Sequence, residues 1–215
     1  MEKNKIEHIS FDLDGTLMNS CKTIYKTTIK ALKILNINAE INENEFNRMI
    51  GYHFINIFDD LKIVIKDVNK FIEIYKGYYF DFIDESEFYP GVIDILEYLQ
   101  FKNIKVSLLT TKNQEQAEKI IEHFNLQKYF TFIMGRRDGI KYKPSAEPLL
   151  FICKEINVHP TETLLIGDSE LDIMCGKNAK TFTCAVTYGY GVNEILEKQK
   201  PDYIISSLSE LKRII

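Results

Sequence analysis

Three features are missing from this sequence, and each absence narrows the possible functions. The four cysteines stand far apart with no CxxC pair. This spacing argues against a disulfide framework and a zinc site, and predicts reduced thiols in apolar surroundings. The net charge of -4 gives no sign of the basic face that nucleic-acid-binding proteins normally show.

Long hydrophobic runs are also absent. The sequence contains no stretch that is typical of a membrane span and no signal-peptide pattern. At 215 residues and 45% hydrophobic residues, the chain is long enough to bury a sizeable core. We therefore predict a cytoplasmic protein, monomeric or homodimeric, that binds neither nucleic acid nor membrane.

Hydrophobic spacing predicts two kinds of region. Apolar residues recur every three or four positions between residues 18 and 87, with a break at Gly51 and no convincing strand, so an all-helical unit is predicted. Further on, helical patterns alternate with apolar runs, which predicts a parallel sheet wound by right-handed crossovers. The predicted strands of this sheet are 104–109, 132–134, 163–166, 182–186 and 203–205. An earlier strand, residues 6–11, has no partner of its own and is expected to join them.

Two carboxylates, Asp12 and Asp14, stand two positions apart where the first strand ends. If strand geometry persists, both side chains point the same way. Like charges held side by side are costly unless a cation or a proton resolves them. The segment FDLDGT therefore predicts a metal ion, a carboxylate with a raised pKa, or both. An acidic turn after an edge strand is the alternative.

Polar residues also follow three later strands. They are TTK at 110–112, KP at 143–144 and GDSELD at 167–172. In open parallel sheets, ligands bind outside the carboxyl ends of the strands. We therefore expect these segments to meet the first carboxylate pair in one site.

Taken in order, DxDGT, a strand ending in Thr, a Lys-Pro loop and GDxxxD resemble the haloacid dehalogenase superfamily, mostly phosphohydrolases that act through an aspartyl-phosphate. The resemblance covers essentially the whole chain. The segments KPSAEPL, GKNA and YGYG look closest to the phosphoglycolate phosphatase-like branch. The resemblance implies an α/β fold with a Rossmann-like parallel sheet core (1–17 and 88–215) and an all-helical C1-type cap (18–87). It also implies a Mg²⁺-dependent phosphatase acting on a small metabolite such as phosphoglycolate.

The resemblance implies roles for the acidic residues. Asp12 would be the nucleophile that forms an acyl phosphate. Asp14 would protonate the leaving oxygen and later take a proton from water. Mg²⁺ would be held by Asp12, the backbone carbonyl of Asp14, and Asp168.

The remaining motif residues are expected to bind phosphate or support its binding. Thr110 and Lys143 are expected to be catalytic as well as phosphate-binding, and Thr111 is expected to bind substrate. Lys141 competes with Lys143 for the cationic role, but Lys143 precedes the motif proline. Asp172 is expected outside the ligand set, contacting a metal-bound water or orienting Lys143.

Three positions depart from the family pattern: Thr111 stands where relatives often carry Asn, Asn19 replaces an Asp, and Ala146 replaces a Pro. None of them touches the core chemistry. Two alternative functions stay open. A β-phosphoglucomutase-like phosphomutase is disfavoured because Thr16 stands where those enzymes commonly have Val. A non-catalytic phosphate-binding module, such as a receiver domain, lacks a helical insertion after its first strand.

The helical insertion offers possible substrate contacts, and a carboxylate-bearing substrate would call for a cationic one among them. The candidates are Arg48, Tyr52, His53, Lys76, Tyr78 and Tyr79.

Overall fold

The structure is a computed structural model that describes residues 5–215. It divides into a core unit, Met1–Leu17 with Tyr89–Ile215, and a helical unit, Met18–Phe88. The second boundary lies one residue beyond the predicted one. The action of the helical unit as a cap stays a prediction.

The described residues contain eight strands, nine α-helices and four short 3₁₀ helices. The strands are β1 His8–Phe11, β2 Met18–Asn19, β3 Glu87–Phe88, β4 Lys105–Asn113, β5 Phe132–Arg136, β6 Thr163–Gly167, β7 Phe182–Val186 and β8 Tyr203–Ile205. The α-helices are α1 Cys21–Ile34, α2 Glu43–Asn47, α3 Phe54–Asp60, α4 Val68–Tyr78, α5 Val92–Phe101, α6 Gln114–His123, α7 Glu147–Glu155, α8 Glu170–Ala179 and α9 Asn193–Lys198. The 3₁₀ helices are Tyr79–Glu85, Gln127–Tyr129, Pro160–Glu162 and Leu208–Arg213.

The core unit contains a six-stranded sheet in the order β5-β4-β1-β6-β7-β8, in which every neighbouring pair is parallel. This arrangement confirms the predicted α/β, Rossmann-like fold class. β1 lies in the middle, with Phe11 opposite Leu108 of β4 and Ile166 of β6. Because the chain runs outward from β1 in both directions, the carboxyl end of β1 is the switch point where such sheets bind ligands.

Four strands of the sheet differ from their predicted bounds: β5 and β6 extend by two residues and one residue, and β1 and β4 differ as follows. β1 begins at His8, two residues later than predicted, and all four of its residues are buried. β4 continues to Asn113, well past the predicted end at residue 109. The polar residues 110–112 therefore belong to the strand itself, where the register with β5 is irregular, and the last paired position is Asn113 opposite Arg136.

The prediction of an all-helical insertion is wrong at its two ends. β2 and β3 form an antiparallel pair, with Met18 opposite Phe88 and Asn19 opposite Glu87. The residues next to them continue the pairing, since Tyr89 N donates to Leu17 O at 3.1 Å. Strands of two residues are too short to show hydrophobic alternation. Their pairing is set by the meeting of the first and last residues of the insertion in three dimensions, which the sequence does not show.

The helical unit has an aromatic interior. Phe71 of α4 is fully buried, and its ring lies 4.9 Å from Phe54 and 4.8 Å from Phe58, both on α3. Near the end of the unit, Thr23 Oγ1 of α1 donates to Phe82 O at 2.8 Å. Aromatic pairs at such distances contribute stabilisation beyond the area that they bury.

Within residues 5–215, no helix combines the length and the apolar character needed to cross a membrane. All four cysteines lie in this range and none is bridged, as their spacing predicts.

Candidate active site

Three buried carboxylates meet at the carboxyl ends of β1 and β6. Asp12 directly follows β1, and its backbone N donates to Ile166 O of β6 at 2.9 Å. Asp168 directly follows β6, and Asp172 lies in the first turn of α8. One ligand atom from each of these three side chains lies within 4.8 Å of the others. We call Asp12, Asp168 and Asp172 the carboxylate cluster.

The start of α8 fixes the orientation of Asp172. Its Oδ2 accepts hydrogen bonds from Ser169 N at 3.1 Å and from Ser169 Oγ at 2.5 Å, which forms a capping box. Its Oδ1 lies 2.6 Å from Lys143 Nζ. Asp172 therefore contacts Lys143, which is one of the two contacts that the sequence analysis expected for Asp172.

Lys143 reaches into the cluster from the loop that precedes α7. Its Nζ donates to Asp12 Oδ1 at 2.5 Å, and its side chain is buried. Although burial disfavours its charge, Asp12 and Asp172 raise the pKa of Lys143, so it stays protonated. Lys141, by contrast, is exposed. Of the two candidate lysines, it is Lys143 that contacts the carboxylates.

The cluster has a deficit of positive charge. With all three buried carboxylates ionised, the single ammonium of Lys143 would leave two negative charges uncompensated. Burial and the neighbouring carboxylates raise the pKa of Asp12 well above its usual range, although Lys143 opposes this shift. Burial and Asp172 raise the pKa of Asp168 to about 7. Oxygen donors with this charge deficit fit a divalent cation such as Mg²⁺.

Asp168 is held between two glycines. At Gly15, whose φ is +88°, an added Cβ would lie 2.0 Å from Asp168 Oδ2. At Gly189, an added Cβ would lie 2.3 Å from Asp168 Cβ and 2.4 Å from Gly15 O. No side chain fits at either position, so the backbone approaches the carboxylate from both sides.

Hydrogen bonds complete the surroundings of Asp168. Tyr190 N donates to its Oδ2 at 2.8 Å, and Thr16 Oγ1 donates to its Oδ1 at 3.3 Å. In the same loop as Tyr190, Tyr188 donates from its hydroxyl to Thr16 O at 2.8 Å. The sequence analysis used the YGYG segment only as a sign of family resemblance. Its contact with Asp168 was not predicted, because the motif does not show which carboxylate the loop lies against.

Asp14 stands apart from the carboxylate cluster and forms an ion pair of its own. Its Oδ2 lies 3.1 Å from Lys112 Nζ, and both side chains are 9% exposed. Thr110 is buried, and its Oγ1 accepts from Lys112 N at 3.2 Å. Thr111 is half-buried on β4, and its substrate contact stays a prediction. Lys112 lies in a segment that the sequence places at this site, but its contact with Asp14 was not predicted.

Comparison of the sequence with models of known protein families identifies the family of this chain. Residues 9–186 match the family model for haloacid dehalogenase-like hydrolases. This chain belongs to that family. The predicted membership is therefore confirmed, and the protein is an enzyme of the hydrolase class.

Relatives of this haloacid dehalogenase-like hydrolase align along nearly its full length. A phosphoglycolate phosphatase from Aquifex aeolicus is 31% identical over 96% of this chain and 95% of its own. The pyrophosphatase PpaX from Bacillus mycoides is 31% identical over 98% of this chain and 97% of its own. A solved haloacid dehalogenase-like hydrolase from Streptococcus pneumoniae superposes with a TM-score of 0.87 at 25% identity, covering 97% of this chain and 98% of its own.

One candidate substrate contact of this hydrolase is contradicted. Tyr79 is only 1% exposed, because its ring packs against Tyr75 and Phe80 inside the helical unit. It is a core residue there and not a surface contact. The other candidates, of which His53 is half-buried and the rest are exposed, stay predictions: Arg48, Tyr52, His53, Lys76 and Tyr78.

Proposed function

We propose that this protein is a Mg²⁺-dependent phosphatase that hydrolyses a small phosphorylated metabolite through an aspartyl-phosphate on Asp12. The observation that carries the proposal is the contact of Lys143 Nζ with Asp12 Oδ1 and Asp172 Oδ1, at 2.5 and 2.6 Å. It places a permanent cation beside a buried carboxylate at the switch point of the sheet. This is what an anionic nucleophile needs in order to approach an anionic phosphate.

In the first step, an oxygen of Asp12 attacks phosphorus and the bond from phosphorus to the leaving oxygen breaks. Asp14 gives its proton to that oxygen, so the leaving group departs as a neutral hydroxyl. Lys143 and the hydroxyl of Thr110 stabilise charge on the equatorial phosphate oxygens. Phosphoryl transfer needs little more from a protein than such positioning and electrostatic stabilisation.

In the second step, water attacks the phosphorus of the acyl phosphate and Asp12 departs as a carboxylate. Asp14, now deprotonated, takes a proton from that water. Asp172 keeps Lys143 in place throughout, because its other oxygen is fixed by the start of α8. The enzyme thus returns to its initial protonation state after inorganic phosphate leaves.

The metal would be held by Asp12, Asp168 and the backbone carbonyl of Asp14. When bound, Mg²⁺ supplies positive charge that offsets the repulsion between nucleophile and phosphate. The charge deficit of the carboxylate cluster supports this assignment. So does the tight cradle around Asp168, which leaves that side chain one orientation.

Two related substrates follow from the relatives' names: phosphoglycolate and pyrophosphate. We propose that the substrate belongs to this class of small phosphate esters and anhydrides.

The test is release of inorganic phosphate from p-nitrophenyl phosphate, with Mg²⁺ or with EDTA, by the wild type and by Asp12→Asn. Turnover that requires Mg²⁺ and disappears in the variant is expected. Asp202→Asn is the matched control, since Asp202 contacts Thr183 on β7 and not the cluster. Activity that survives in Asp12→Asn would overturn the proposal.

A further inference from the structure

The YGYG loop, residues 188–191 after β7, takes no part in the proposed mechanism, although it lies against the proposed metal site. Tyr190 N donates to Asp168 Oδ2 at 2.8 Å. At Gly189, an added Cβ would lie 2.3 Å from Asp168 Cβ, so the backbone of the loop approaches this carboxylate closely. The loop is therefore in direct contact with one of the two side chains proposed to hold Mg²⁺.

The side chain of Tyr188 extends from the same loop to the turn that follows β1. Its hydroxyl donates to Thr16 O at 2.8 Å. This turn is closed on itself, because Thr16 N and Leu17 N both donate to Leu13 O, at 3.3 and 3.0 Å. Asp14, whose backbone carbonyl is the third proposed ligand, lies within the turn. The hydrogen bond to Thr16 O therefore restrains the segment that carries that carbonyl.

These contacts form a closed ring of hydrogen bonds that includes both oxygens of Asp168. The Tyr188 hydroxyl donates to Thr16 O, Thr16 Oγ1 donates to Asp168 Oδ1 at 3.3 Å, and Tyr190 N donates to Asp168 Oδ2. The backbone between Tyr188 and Tyr190 completes the ring. One loop thus holds the turn after β1 and the carboxylate after β6 together.

The aromatic ring of Tyr188 is held separately from its hydroxyl. It packs against the ring of Tyr89, with 4.7 Å between the centroids. Tyr89 is itself fixed next to the turn, since its N donates to Leu17 O at 3.1 Å. A hydroxyl on a ring that is already ordered loses little further entropy when it forms a hydrogen bond. A phenylalanine at this position would keep the packing and lose only that bond.

We propose that Tyr188 is a positioning residue for Mg²⁺, whose hydroxyl holds the Asp14 carbonyl in place relative to the Asp168 carboxylate. Mg²⁺ tolerates little deviation from octahedral coordination, so the placement of its ligands affects its affinity. Groups that orient metal ligands contribute to that affinity without touching the metal. The inference rests on the proposed function, from which it takes the metal ligands.

The experiment titrates the protein with magnesium chloride in a calorimeter, without substrate, and compares the wild type with Tyr188→Phe. Tyr25→Phe is the matched control. The Tyr25 hydroxyl also donates to a backbone oxygen, Ile41 O at 3.0 Å, but Tyr25 lies on α1 in the helical unit. Circular dichroism and the Tm of the metal-free proteins establish that both variants are folded.

We expect Tyr188→Phe to raise the Kd for Mg²⁺ about 10-fold, the lower end of the range for groups that orient metal ligands. Tyr25→Phe should keep the Kd of the wild type within about 2-fold, because it loses the same kind of hydrogen bond away from the proposed ligands. The Mg²⁺ concentration that gives half-maximal release of phosphate from p-nitrophenyl phosphate should rise in Tyr188→Phe by the same factor as the Kd.

Two results would overturn the inference while leaving the proposed function intact. One is an unchanged Kd in Tyr188→Phe, which would mean that the hydroxyl serves stability alone. The other is an equal rise of the Kd in Tyr25→Phe, which would mean that any loss of stability weakens metal binding. Failure of the proposed function looks different: the wild type itself would bind no Mg²⁺, and the inference would fall with it.

Discussion

The two units of this protein bury different kinds of side chain. At the end of the sheet, the core unit buries the carboxylate cluster together with Lys143. The helical unit buries aromatic rings, with Phe71 packed against both Phe54 and Phe58. Within residues 5–215, the cluster is the single group of three potential metal-ligating side chains. The ion pair Lys26–Glu85 of the helical unit, by contrast, is partly exposed.

The difference separates residues that serve chemistry from residues that serve stability. Buried carboxylates lose their hydration and repel one another, so a site built from them costs folding free energy. Buried aromatic side chains have no such penalty and contribute most of the stability of a small unit. A substitution in the carboxylate cluster is therefore expected to lower activity with little loss of stability. A substitution among the buried aromatic rings is expected to lower stability.

The largest effect is expected from Asp168→Asn in the core unit. Loss of this proposed ligand should lower kcat by at least 10²- to 10³-fold, because a metal ion held there would supply several kcal/mol of charge stabilisation. In the metal-free protein the Tm should stay the same or rise, since one of three mutually repelling carboxylates is removed. Added Mg²⁺ should raise the Tm of the wild type and not that of the variant.

The two units would not differ in this way if Asp168→Asn destabilised the metal-free protein as strongly as a core truncation does. In that case the hydrogen bonds from Tyr190 N and Thr16 Oγ1 would outweigh the relief of repulsion.

A second prediction concerns the helical unit. Phe71→Ala leaves a cavity in its aromatic interior and should lower the free energy of unfolding by about 3–5 kcal/mol. Urea unfolding measures this change, and calorimetric titration measures Mg²⁺ binding, which should be unchanged within about 2-fold because no cluster residue is altered. Phe101→Ala in the core unit is the control. Phe101 is 80% exposed, so its loss should change stability by less than about 0.5 kcal/mol.

If Phe71→Ala lowered Mg²⁺ affinity together with stability, the carboxylate cluster and the aromatic interior of the helical unit would be energetically coupled. The proposed separation of chemistry from stability would then be wrong.

The smallest effect concerns His8, a buried polar residue of the core unit outside the site. It lies 2.8 Å from Ser107 Oγ and 3.1 Å from Thr163 Oγ1, and burial, with Lys105, lowers its pKa to about 3. Between that value and its unfolded pKa near 6.5, only the unfolded chain binds the proton. The free energy of unfolding should therefore fall with falling pH in this window, by up to about 1.4 kcal/mol per pH unit from this group.

The measurement is urea unfolding at several pH values between 5 and 8. His8→Gln should lose this contribution to the pH slope, whatever its stability at pH 8. His123→Gln, which changes an exposed histidine, should keep the slope of the wild type. An unchanged slope in His8→Gln would contradict the prediction, because it would show that folding does not lower the pKa of His8.

The sequence predicts those features of the structure that follow from local hydrophobic pattern and from the order of the strands. The carboxylate cluster was predictable because Asp12 and Asp168 stand directly after strands, and strand ends in a parallel sheet must meet at one edge. The contact of Lys143 with Asp172 was one of the two positions expected for Asp172, which lies about one helical turn after Asp168. The sheet itself shows strong hydrophobic periodicity, so its strands were found with errors mainly at their ends.

The missed features depend on exact three-dimensional placement. Whether Lys112 contacts Asp14 depends on the point at which β4 ends, and the predicted end at residue 109 was four residues too early. The contact of Tyr190 N with Asp168 joins residues 22 positions apart through backbone atoms, which leave no trace in side-chain pattern. The β2–β3 pair joins the two ends of the helical unit through two residues each.

The most direct test of the central claim is to trap the phosphoryl group on the enzyme. Wild type, Asp12→Asn and Asp14→Asn are mixed with radiolabelled p-nitrophenyl phosphate and Mg²⁺, quenched in acid, and digested. The account predicts a label that hydroxylamine releases, located on the peptide that contains Asp12, and more of it in Asp14→Asn because hydrolysis is slowed. Label on another residue, or turnover by Asp12→Asn, would contradict it.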